Sequence, residues 1–164
     1  MADFGELVGQ PAVQGGQDFY QAAVPMPPQQ QPFQSNLDAA HQALNLTPQE
    51  RALYERHLTN LTGPGGVDNA PTPDNPQGSR STLFQTSIER GGKHYNIPTV
   101  WDGKILAQFD DKGKFTGAPE AEKRAEAYGL DKFPSYNSEA EAEARYQQMH
   151  QFMDQDTAQY LKAR

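Results

Sequence analysis

The 164-residue sequence contains no cysteine. Disulfides, thiolate metal sites and thiol nucleophiles are therefore excluded. No stretch approaches the roughly 18 consecutive apolar residues of a membrane span, so no membrane crossing is expected. The first residues lack the basic start and apolar run of a signal peptide, since Asp3 and Glu6 stand where positive charge would be. Clustered Lys and Arg are missing too. The formal net charge is −7, and phosphate contacts need grouped cations, so direct nucleic-acid binding is not expected.

What is present is divided unevenly. Residues 1–79 carry eight acids against Arg51 and Arg56, and ten of the 13 prolines. Residues 80–164 carry thirteen acids and twelve bases and most of the aromatic side chains. A polar, proline-rich segment has too little apolar surface to offset the entropy of ordering. The expected organisation is an extended Pro/Gln-rich arm over residues 1–46, a short helix at 47–63, a linker loop at 64–79 and a small α+β domain at 80–164. Within the arm, Phe4, Phe19, Tyr20 and Phe33 are spaced apolar anchors in a Gln- and Pro-rich background, suited to docking on a partner.

Local signals fix several elements. Thr47, Pro48 and Glu50 form a capping box with proline at the first helical position. Leu53, His57, Leu58 and Leu61 then make a stripe with Tyr54 beside it, and Gly63-Pro64-Gly65-Gly66 stops the helix. Residues 81–90 and 93–101 predict two strands around Gly91-Gly92. A two-residue loop pairs Ile88 with Tyr95, Thr86 with Ile97 and Phe84 with Thr99, all on one face. Asp102-Gly103 is a second tight turn. Two such turns in succession demand an irregularity between residues 93 and 101, and Pro98, with no N–H to lose, is the expected place. Residues 107–118 are expected to be a linker. Pro119 to Tyr128 predicts a short helix, Phe133-Pro134-Ser135-Tyr136 an aromatic loop, and Ser138 the cap of a long helix striped by Ala142, Tyr146, Met149, Met153 and Tyr160. The fold class is α+β: a small antiparallel hairpin or three-stranded sheet packed on the long C-terminal helix.

Candidate chemistry is sparse. His41, His57, His94 and His150 have no metal-ligand spacing. The carboxylate pairs Asp110-Asp111 and Asp154/Asp156 lie in polar contexts that favour full solvation, whereas a general acid needs an apolar pocket. The Gly-rich turn at 63–66 lacks the Lys and hydroxyl of a phosphate loop. A hydrolase using Asp110 or Glu89 is the remotest alternative. Trp101, with Tyr95, Phe133 and Tyr136 near it, could offer a surface to a peptide or sugar. The expectation is a protein that is not an enzyme and needs no cofactor, with Trp101 joining Phe4, Phe19, Tyr20 and Phe33 as partner-binding residues.

The string SRSTLFQTSIERGGKHYNIPTVWDGKIL, followed by GLDKFPSYNSEAEAEARYQQMHQFMD, resembles a small domain of tailed-bacteriophage virion proteins. The upstream LTPQERALYERHLTNLTGPGGVDN resembles the segment that often precedes it. The resemblance covers about residues 46–160. It implies a structural component of the virion, in multiple copies in a symmetric assembly, partnered by capsid, portal, connector or tail subunits. It also implies, as the alternative, an internal ejection-associated or peptidoglycan-binding accessory. Some of the larger virion proteins that contain a similar domain carry lytic transglycosylase domains. The length here leaves no room for one, so that activity is not expected.

Overall fold

Thr47 and Ser138 start the two longest helices, each by the predicted hydrogen bond. In the computed structural model, which describes residues 33–164, the Thr47 hydroxyl accepts from the Glu50 N–H at 3.1 Å, and the Glu50 carboxylate accepts from the Thr47 N–H at 3.0 Å. This capping box opens helix α2, Pro48–Thr62, after a shorter helix α1, Leu37–Leu44. Ser138 accepts from the Glu141 N–H at 3.1 Å and opens helix α4, Glu139–Ala163. Helix α3 occupies Pro119–Tyr128, the predicted range, and stops where Gly129 takes φ +119°.

Strands β1 (Val67–Asn69) and β2 (Ser79–Ser81) pair antiparallel. Strands β3 (Thr86–Arg90) and β4 (Lys93–Ile97) form the hairpin around Gly91-Gly92, with Ile88 opposite Tyr95 and Thr86 opposite Ile97 as expected. Both glycines have positive φ, the backbone that a two-residue hairpin loop requires. Strands β5 (Val100–Trp101) and β6 (Lys104–Ile105) pair around Asp102-Gly103, and β7 (Gln108–Phe109) pairs with β8 (Phe115–Gly117). Strand β9, Ser135–Tyr136, adds to β4. The three-stranded sheet is ordered β3-β4-β9. Helix α4 packs on β3, β4, α1 and α2, and α3 packs on β4. The architecture is α+β, as predicted.

The ladder of β3 and β4 ends at Ile97, and Pro98 is where it breaks. Beyond it, the Thr99 N–H and the Val100 N–H both donate to the Leu83 carbonyl, at 2.8 and 3.2 Å. The Thr99 hydroxyl donates to the Phe84 carbonyl at 2.7 Å. Phe84 takes φ +43°, and its ring leaves the core face it was expected to share with Thr99. The released Pro98 carbonyl accepts from the Trp101 indole N–H at 2.9 Å. The break thus satisfies the polar atom of a buried tryptophan.

Four boundaries differ from expectation. Residues 33–46 belong to the body and not to an extended arm: Leu37, Ala40 and Leu46 are buried in the core. The α+β body therefore begins well before residue 80. The 64–79 linker contains β1 and the first residue of β2, and Arg80 fastens this region to the end of α2. Its guanidinium donates to the carbonyls of Asn60, Leu61 and Gly63 and pairs with Asp68 at 2.9 Å. A helix end leaves carbonyls without partners, and this cation supplies donors for them. The supposed linker at 107–118 is the β7–β8 hairpin, turned by the Asp110 carboxylate accepting from the N–H groups of Lys112 and Lys114. The supposed aromatic loop at 133–136 supplies the third strand.

His57 is a core residue, 2% exposed, with its Nδ1 2.6 Å from the Thr82 hydroxyl. Burial, with His150 nearby, pushes its pKa down to about 4. The unfolded chain therefore binds one more proton than the folded chain between about pH 6.5 and 4. The stability tied to neutral His57 is whole above pH 6.5 and is lost as the pH falls through that window, at up to about 1.4 kcal/mol per pH unit. Asp156, whose pKa burial raises, acts in the opposite sense. Urea denaturation at steps between pH 7 and 4.5 should accordingly show a shallower acid loss in His57→Gln than in the wild type. Equal slopes would rule out His57 as the source.

Candidate docking surfaces

Two surfaces stand out, one exposed and apolar, one aromatic and cationic. The first follows from the Pro98 break. Phe84, turned outward by its positive φ, meets the two rings that face each other across the β7–β8 hairpin beside its turn. Phe84 stacks on Phe109 with centroids 5.7 Å apart, and Phe115 sits edge-on to both at 6.2 Å. The three rings support one another, yet they are 41%, 46% and 39% exposed. Beside them runs a cleft of about 370 Å³ between β3 and the start of α4, lined by Ser87, Phe84, Phe115, Glu139, Glu143 and Tyr146. β3 is the outer strand of its sheet, with Ser87 and Glu89 exposed. Neither Glu139 nor Glu143 takes part in an ion pair among the described residues.

The second surface surrounds Trp101. Only 8% of this residue is exposed, because Tyr128 and Phe133 meet its ring edge-on at 6.0 and 6.4 Å and the Arg56 guanidinium covers it at 4.0 Å. Trp101 is thus a buried support and not the open platform the sequence suggested. The open ring is Tyr128, 50% exposed, with the Lys132 ammonium 4.8 Å from its centre. A cleft of about 330 Å³ opens here, lined by Gln49, Leu53, Arg56, Tyr128, Lys132 and Phe133 among others.

The chain matches no family model, no curated protein and no solved structure.

Of the predicted partner-binding residues, Phe4, Phe19 and Tyr20 lie outside the described residues. Phe33 is half-buried, its ring edge-on to Tyr160 at 6.1 Å, so it anchors the body to α4. Tyr136 also faces inward, its hydroxyl donating to Glu50 at 2.7 Å. Phe109 and Phe115 escaped the sequence analysis. The available signal was two phenylalanines flanking a charged Asp-Asp-Lys-Gly turn, a hairpin pattern concealed by its polar centre.

Among the described residues, no three His, Asp or Glu side chains converge as metal ligands would. The Asp154/Asp156 pair is split: Asp154 is exposed, whereas Asp156 is fully buried, contrary to the solvation expected of it. No helix among the described residues is long and apolar enough to cross a membrane.

Proposed function

We propose that the protein is a non-enzymatic structural component of a tailed-bacteriophage virion, docked in multiple copies onto capsid, portal, connector or tail subunits. The observation that carries this reading is the outward cluster of Phe84, Phe109 and Phe115. Contiguous exposed apolar surface marks interaction sites, and here a strained backbone at Phe84 holds one of the rings out. The adjoining β3 edge and the acids Glu139 and Glu143, which make no ion pair among the described residues, fit one kind of occupant. This is an extended segment of a neighbouring subunit, pairing with β3 and carrying a basic side chain beside an apolar one. The resemblance over residues 46–160 supports the particle context. The N-terminal segment with Phe4, Phe19 and Tyr20 is assigned a second point of attachment, and two attachments together gain avidity.

The test is incorporation into particles of the encoding phage. Deleting residues 1–32 keeps Phe33 and the body, and substituting Phe109 and Phe115 with Ser leaves the core untouched. Each change should lower the copy number in purified virions by about tenfold or more while the isolated protein keeps its unfolding midpoint. Normal copy number in both variants would reject the docking assignment. Mass spectrometry before and after genome ejection separates the alternative: retention fits a structural component, and loss fits the ejection-associated accessory.

A further inference from the structure

Arg56 has an unusual position for a permanent cation. Among the described residues it makes no hydrogen bond and no ion pair, and its Nε is buried without a partner. A guanidinium carries five N–H donors and does not deprotonate in proteins, so leaving it partly desolvated costs free energy unless an anion or water meets it. Asp102, the acid whose charge reaches it, is bonded to Arg124 at 2.9 Å. Asp131 lines the same cleft and makes no ion pair with Arg56 among the described residues. The guanidinium carbon lies 4.0 Å over the Trp101 ring and the Nε is buried, so the two Nη groups are the donors left to meet a ligand.

We propose that this cleft binds the C-terminal carboxylate of a peptide whose last residue is apolar or aromatic. Arg56 supplies the planar fork that matches a carboxylate. Lys132, from the turn after α3, adds a second cation on the same cleft. The charges set the class of anion: Arg56 and Lys132 against Asp131 leave one net positive charge, which suits a monoanion better than a phosphate dianion. The apolar wall of Ala52, Leu53, Phe133 and Tyr128 receives the terminal side chain. The inference concerns a different face from the phenylalanine cluster and does not depend on the particle reading.

The chain holds a single tryptophan, and it lies directly under Arg56, so Trp101 emission reports on the site. The full-length protein is titrated with acetyl-Gly-Leu-Phe as the free acid, as the C-terminal amide, and with phenyl phosphate. The free acid should change the emission saturably. The amide should bind at least about tenfold more weakly, since a charge-assisted pair is lost, and phenyl phosphate no better than the acid. Arg56→Met, which keeps the stem packed on the indole, should abolish the response. The exposed Lys132→Gln should weaken it severalfold and serves as the test where Arg56→Met does not fold. Equal binding of acid and amide, tighter binding of phenyl phosphate, no saturable response to the acid, or an unchanged affinity in Lys132→Gln would each overturn the proposal.

Discussion

Replacing Arg145 with methionine is expected to lower the unfolding free energy by about 3–5 kcal/mol, the largest loss from any single surface-reaching side chain in this body. Glu50 is the reason. Its side chain is 1% exposed, and it serves three elements at once. It closes the α2 capping box through the Thr47 N–H, accepts from the Tyr136 hydroxyl beside β4, and receives two bonds from Arg145 of α4, at 2.8 and 2.7 Å. Arg145 also reaches the Leu44 carbonyl at the end of α1. Burial by itself raises the Glu50 pKa, and Arg145, the Thr47 N–H and the Tyr136 hydroxyl outweigh it, so the carboxyl sits below its ordinary value. Methionine fills the volume of the stem but leaves a buried carboxylate with its countercharge gone, and breaking one side of such a pair is the costly direction.

The pH dependence identifies the cause. In the wild type, Glu50 contributes stability above the ordinary carboxylate pKa and loses it as the pH falls through its lowered folded value. In Arg145→Met the desolvated carboxyl is shifted upward instead, so acid relieves the variant by letting Glu50 protonate. The difference between the two proteins in urea denaturation should therefore shrink from pH 7 to pH 4. The double variant Glu50→Met/Arg145→Met should recover part of the loss, because no buried charge is then left alone. Arg145→Lys should fall between, keeping the charge without the two-pronged fork. A loss below about 1 kcal/mol in Arg145→Met, or one independent of pH, would show that the pair does not hold the helices together.

Half of this network was legible in the sequence and half was not, for a definite physical reason. Thr47 and Glu50 are three residues apart, so the capping box is a local pattern. Arg145 and Tyr136 lie 95 and 86 residues from Glu50, and no spacing rule reaches them. The same division holds across the fold. The Gly91-Gly92 register, the span of α3 and the Ser138 cap rest on neighbours in sequence and appear as predicted. The Pro98 irregularity was legible because two tight turns in succession cannot share one regular strand. Its consequence, Phe84 turned outward beside Phe109 and Phe115, depends on where a distant hairpin lies. Residues 37–46 looked like tail because their neighbours are polar. They become helix only by burying Leu37 and Ala40 against partners from the far end of the chain, which an eight-residue helix needs in order to persist. Trp101 was read from its place next to a turn, whereas the cation above it comes from α2.

Asp156→Ala is expected to cost about 3–4 kcal/mol, since removing a buried acceptor strands each of its donors at roughly 1–3 kcal/mol, and to release α1 before the rest of the body unfolds. Asp156 is fully buried where α1, α2 and α4 meet. One carboxylate oxygen accepts from the Tyr54 hydroxyl at 2.5 Å, and the other accepts from the Asn36 N–H and side-chain amide at 2.7 and 2.9 Å. Asn36 makes no side-chain cap of its own on α1, so Asp156 stands in for one and places negative charge at the positive end of that helix. Burial raises its pKa, and the three hydrogen bonds pull against that shift, so the charge itself is held at some cost. Asp156→Asn should accordingly lose only about half as much as Ala: it keeps the shape and one acceptor, and it sheds the buried charge. Tyr54→Phe, which removes a single donor, should lose about 1–2 kcal/mol. Native-state hydrogen exchange separates local from global effects. In Asp156→Ala, amides of α1 should exchange through an opening cheaper than global unfolding, while those of α3 continue to follow the global transition. Unchanged protection of α1, with a global loss under about 1 kcal/mol, would mean that apolar packing of Leu37 and Ala40 alone keeps the first helix in place.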